Sequence, residues 1–142
     1  MKAKKGFTII ELLIVMAVIA ILIGIAIPSF RGMQVEANKT KAEGDLRVVK
    51  IALESYRKNT GAYPAVSGYQ ATLMGATSRV LESQLKDPFK PTDDYGYNKS
   101  TNGTFYIVFS VGPGAAATIT GISDTGSLEG SAGDDIYTSN GY

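Results

Sequence analysis

The chain has 142 residues, with 14 bases and 13 acids but neither cysteine nor histidine. That composition excludes disulfides, histidine-activated nucleophiles and thiolate–imidazole metal sites. A net charge of +1 gives no electrostatic footprint for nucleic acid. Taken in chain order, three lysines (Lys2, Lys4 and Lys5) stop at Gly6, and an apolar run opens at Phe7. A single carboxylate, Glu11, stands near the head of that run, and every residue from Leu12 to Ile27 is apolar or glycine. Leu12 to Phe30 would span about 28 Å as a helix, enough for one membrane crossing. An acid there is costly: insertion scales put a charge at the helix centre at about 2.5–3.5 kcal/mol, less near an end, so a partner is expected to neutralise Glu11.

Two plainer readings of this head exist. A secretory signal peptide has an apolar core of about 7–15 residues without a carboxylate, shorter than the run here. A simple membrane anchor gives no reason for Glu11. Lysines before the run and Arg31 after it orient the leader to the cytoplasm and everything beyond Phe30 to the outer side. Proline at position 28 removes a helix donor, so a kink or local melting is expected between Gly24 and Pro28.

Lys4-Lys5-Gly6, then Phe7-Thr8-Ile9-Ile10-Glu11-Leu12-Leu13-Ile14-Val15 and Pro28 at the end of the run, resemble the type IV pilin and pseudopilin family. The resemblance implies cleavage by a prepilin peptidase between Gly6 and Phe7 and N-methylation of Phe7. It also implies that Glu11 meets the Phe7 amine of a neighbouring subunit during assembly. Residues 1–6 would be a leader, 7–30 a transmembrane and filament-core helix, and 31–142 an exported globular domain that includes the second half of the helix. Small residues Ala17, Ala20 and Gly24 would allow helices to approach closely in a bundle. Without its first six residues the chain would carry 11 bases against 13 acids, net −2.

Leu46, Val49, Leu53 and Tyr56 recur at helical spacing, the apolar stripe of an amphipathic helix laid on a body, with Lys50 and Glu54 as an exposed pair. Asn59-Thr60-Gly61 suits its end. Tyr69 to Leu85 carries weaker helical spacing, with Leu73, Val80, Leu81 and Leu85 interrupted by Gly75, and Lys86-Asp87-Pro88-Phe89 is a break. Tyr95-Gly96-Tyr97 opens a strand, Asn102-Gly103 signals a hairpin turn, and residues 104–111 form the clearest strand. The fold class is therefore α+β, a long N-terminal helix packed on a small antiparallel sheet with an irregular C-terminal loop region.

Asn59 to Pro64, Asp87-Pro88-Phe89, Tyr95-Gly96-Tyr97, Ser110-Val111-Gly112 and Gly133-Asp134-Asp135-Ile136 resemble the major pseudopilin of type II secretion systems. That likeness implies a calcium ion holding the C-terminal region, a homo-oligomeric helical filament, and an inner-membrane assembly platform with minor pseudopilins as partners. It also implies single-pass insertion in the inner membrane with a periplasmic domain, in the service of protein transport. The chain departs from the pattern at Pro113-Gly114, where an aspartate is common, and by an apparent insertion over 115–122. Residues 112–141 hold seven glycines and few apolar side chains. Such a segment is expensive to order by packing, and Asp124, Asp134 and Asp135 are the candidate calcium ligands, against an ordinary disordered acidic tail.

Charge is also uneven. Residues 31–58 hold seven bases against four acids, while no base follows Lys99. Basic helix faces, with Arg57 and Lys58 as the test positions, are expected to meet acidic C-terminal regions of other subunits. The chain reads as a building block and not an enzyme. The rival readings are a surface pilus subunit for adhesion, twitching or DNA uptake, and a tethered binding domain that never polymerises.

Overall fold

The structure is a computed structural model describing residues 6–76 and 81–141. The lysines of the leader and Arg79–Val80 lie outside the described residues. Two compact units divide the chain after Glu36. One long helix, α1 (Ile9–Thr60), contributes to both.

In the first unit α1 follows from its sequence: apart from Glu11 and Gly24, every residue from Ile9 to Ile27 is apolar, and no proline occurs before Pro28. Its large apolar side chains are all exposed, from Phe7 at 84% through Leu22 at 60% to Phe30 at 63%. Among the described residues, α1 is the one helix long and apolar enough to cross a membrane. The helix runs through Gly24 and Pro28 without a break, so the chain does not melt there. Pro28 has no N–H to donate, so the carbonyl four residues back, that of Gly24, loses its helical partner.

In the second unit the helix presents Ala42, Leu46, Val49, Ala52 and Leu53 to a core, all at 2% exposure or less. Tyr56 packs against it partly buried. The helix stops where expected: Gly61 takes φ 84°, a left-handed conformation, and its amide donates to the Arg57 carbonyl at 2.7 Å. Lys50 and Glu54 are not an ion pair. Lys50 Nζ donates to the Ser139 carbonyl and Glu54 accepts from Tyr63.

A short helix, α2 (Tyr69–Gly75), ends at the glycine that interrupted the apolar spacing. Strands β1 (Gly96–Lys99) and β2 (Tyr106–Ser110) pair antiparallel across the Asn102-Gly103 turn. Three further strands occupy the segment read as an irregular loop: β3 (Ile119–Ile122), β4 (Leu128–Gly130) and β5 (Ile136–Ser139). The order β1-β2-β5 makes a three-stranded sheet, and β3-β4 is a separate hairpin.

Strand β2 is buried throughout, and alternation divides its side chains between two cores. Tyr106 and Val108 join the helix side, with Tyr63, Leu73, Tyr95 and Tyr97. Ile107 and Phe109 join Ile119 and Ile122 of the hairpin. The sheet therefore lies between α1 on one face and the hairpin on the other. Gly96 stands opposite Phe109, and a Cβ there would sit 2.3 Å from the ring. Glycine makes room for the aromatic.

Candidate functional site

The head of α1 is held by its own side chains. Thr8 is the residue before the first helical position and Glu11 lies three further on, the spacing of a capping box. Glu11 Oε2 accepts from the Thr8 amide at 2.9 Å and from Thr8 Oγ1 at 2.8 Å. Thr8 Oγ1 in turn accepts from the Glu11 amide at 3.3 Å. These bonds satisfy amide donors that a helix start otherwise leaves open. They engage one carboxylate oxygen; Oε1 of Glu11 accepts no hydrogen bond among the described residues. Gly6 and Phe7 precede the helix in exposed, irregular chain. The arrangement offers a reachable peptide bond near one preset carboxylate.

The C-terminal aspartates are placed in separate roles. Asp124, in the β3–β4 turn, accepts from the Asn102 amide at 2.8 Å, which ties the hairpin to the β1–β2 turn. Asp134 accepts from the Gly114 amide. Asp135 is 9% exposed, and its Oδ2 accepts from the amides of Thr118 and Ile119 and from Thr118 Oγ1 at 2.8–3.1 Å. The three do not form one ligand set: among the described residues, no group of three or more carboxylate, imidazole or thiol side chains could hold a metal ion. Asp124 is held to the β1–β2 turn by the Asn102 amide, whereas Asp134 and Asp135 bond to the segment 114–119. Asp135 Oδ1, however, is buried without a hydrogen-bond partner. A hard oxygen of that kind, beside Asp134 and in a segment with no base, suits calcium.

A family model, the prokaryotic N-terminal methylation motif, matches residues 1–27. A fimbrial protein of Pseudomonas aeruginosa is 33% identical over 126 residues, covering 85% of this chain and 77% of that protein. The chain belongs to the type IV pilin-like family. Within that family it is also similar to type II secretion system core protein G of Escherichia coli, 29% identical over 96 residues, and to the protein of that description from Pseudomonas aeruginosa, 28% over 98. It spans 59% and 61% of the length of those two secretion proteins. No solved structure matches the chain significantly.

Several residues of this pilin-like chain carry structure that sequence reading passed over. Thr8 was part of a legible signal, threonine three residues before a glutamate. Asp87 is 1% exposed and accepts from Ser110 Oγ, the Phe89 amide and the Val111 amide at 2.8–2.9 Å. Two of the scattered landmarks, 87–89 and 110–112, thus meet at one carboxylate. The Tyr63 hydroxyl donates to Glu54 and accepts from Arg57 and from Asn140 Nδ2, at 2.9–3.1 Å. Burial pushes its pKa up, so it remains the proton donor to Glu54. Asn140 also accepts from the Tyr106 amide and donates to the Thr104 carbonyl, which fastens the end of the chain. Arg57 further bonds the Thr104 carbonyl and lies 4.7 Å from the Tyr63 ring centre. Arg57 is thereby engaged by groups of its own chain.

Proposed function

We propose that the chain is a structural subunit of a type IV pilus-like filament, of the kind formed by the major pseudopilin of a type II secretion system, and that it has no catalytic role. The observation that carries this reading is the preset Glu11 carboxylate at the head of an exposed apolar helix. In lipid the capping box offsets part of the cost of that acid while leaving Oε1 available. Cleavage after Gly6 by a prepilin peptidase frees the Phe7 amine, which is methylated and remains cationic. The amine of one subunit meets Glu11 of the next, and helix-on-helix contact replaces lipid as the subunit leaves the inner membrane. The soluble body lies on the periplasmic side, and an inner-membrane platform and minor pseudopilins organise assembly.

Calcium is a second part of the proposal. Asp135 Oδ1 and Asp134 would hold it, with backbone carbonyls of the adjoining loops. The ion would supply positive charge to a segment without bases and stabilise the β3–β5 region. Melting the full chain in detergent with calcium and then with chelator checks this. A rise of the midpoint with calcium is expected, and an unchanged midpoint removes the ion from the account.

The filament reading is tested by mass analysis of the mature N-terminus and by Glu11→Ala. A methylated Phe7 terminus is expected, and the variant should insert normally while filaments are lost. Mature protein still beginning at Met1 would sink the reading. A surface pilus is the second reading, favoured by the long match to the fimbrial protein. Deletion separates the two: retained periplasmic cargo indicates secretion, and loss of sheared surface fibres indicates a pilus.

A further inference from the structure

A cleft of about 450 Å³ lies in the second unit between α1 and β5. Leu46 and Ile136 form its apolar floor, with Arg47, Lys50, Glu43 and Tyr137 around it. Strand β5 pairs only with β2, so its outer edge is open in the sheet. Lys50 blunts the end of that edge by donating to the Ser139 carbonyl at 3.2 Å. The exposed side chains of Arg47 and Glu43 make neither a hydrogen bond nor an ion pair among the described residues, although they are four residues apart on one helix. Tyr137 is 45% exposed. The cleft is thus a basic, partly apolar seat with a free guanidinium.

The complementary surface is on the same molecule. The β3–β4 hairpin carries Asp124 and Glu129, both exposed, and no base occurs from Ser100 onward. Its turn is braced: the Ser123 amide donates to the Ser127 carbonyl, the Gly126 amide to the Ser123 carbonyl, and the Ser127 amide to Ser123 Oγ, at 2.9–3.0 Å. The hairpin packs on the Ile107–Phe109 face of the sheet, whereas α1 packs on the Tyr106–Val108 face. A hairpin therefore cannot reach the cleft of its own subunit. Two unlike surfaces on opposite faces make a head-to-tail contact, and such contacts generate open helical polymers where the rotation does not close.

We propose that the cleft beside Arg47 seats the acidic β3–β4 hairpin of a second copy, with Glu129 meeting Arg47. This rests on the filament reading and names the surface that gives the filament its direction. A rigid hairpin loses little entropy on docking, and the charge pair fixes its register.

The absence of cysteine from the chain makes the test clean. Arg47→Cys and Glu129→Cys in one full-length chain should give a ladder of disulfide-linked species in filaments, while each single variant stays monomeric. Charge supplies the second arm: Arg47→Glu should lower filament yield roughly tenfold, and adding Glu129→Arg should restore it. Filaments of the double-cysteine protein with no ladder overturn the contact, as does an Arg47→Glu yield equal to that of the unsubstituted chain at low and high salt. If the unsubstituted chain forms no filaments, the filament reading fails and the contact with it, which differs from losing the ladder alone.

Discussion

The two units of the molecule meet their polar groups in opposite ways. In the first, Thr8 and Glu11 bond to each other at the helix head, and the apolar surface of the described residues is exposed from end to end. In the second, Asp87 and the hydroxyls of Tyr69 and Tyr95 are tied to loops, strands and the helix, and apolar residues from helix and strands pack into two cores. One unit is built to exchange one apolar environment for another, so its stability depends on what surrounds it. The other carries its own hydrophobic cores.

Substitutions can break this comparison in graded steps. Glu11→Ala carries the largest effect: filament assembly is lost by at least roughly tenfold, while the melting midpoint of the body stays constant by circular dichroism. Asp87→Ala does the reverse. It leaves three donors without their acceptor and should lower body stability by about 2–4 kcal/mol, measured by denaturant unfolding, with membrane insertion unchanged. Asn140→Asp keeps the acceptor for the Tyr106 amide but loses the donor to Tyr63 and Thr104. About 1–3 kcal/mol should go, visible as faster amide exchange in β5. Thr8→Ala removes half of the capping box and should cost about 1 kcal/mol at the helix start, with Thr8→Ser recovering it.

Acid gives the smallest effect. Lys86 lies 2.7 Å from Asp94 and holds its carboxyl below the usual range. A depressed carboxylate pKa contributes stability above the unfolded value and loses it as pH falls through the folded one. The loss below the ordinary carboxylate range should be about 0.2–1 kcal/mol, since the pair is solvent-screened, and Lys86→Met should shrink it in a pH series of midpoints, leaving the part due to the Gln84 amide.

The long helix, its Gly61 stop and the β1–β2 hairpin were legible because each is written locally, in periodicity and turn residues. Glu11 stood out by chemistry alone, one charge in an apolar run. Strands β3 to β5 were obscured because their apolar residues are few and widely spaced; Ile119 and Ile122 find their partners in Ile107 and Phe109, far back in the sequence. Sequence separation likewise hid the roles of Asp87, with a donor 23 residues away, and of Asn140, with an acceptor 77 residues away. The bond from the Asn102 amide to Asp124 was hidden in the same way, since 22 residues separate the two.

The Tyr63 hydroxyl joins Glu54 and Arg57, near the end of the long helix, to Asn140, near the end of the chain. The last turns of α1 and the residue that follows β5 thus meet at one junction. Tension applied to the helix reaches the C-terminal strand through several weak links stretched side by side, where a cysteine-bearing domain would rely on one covalent link. A fibre made of such units would yield and reseal under pulling without any redox chemistry.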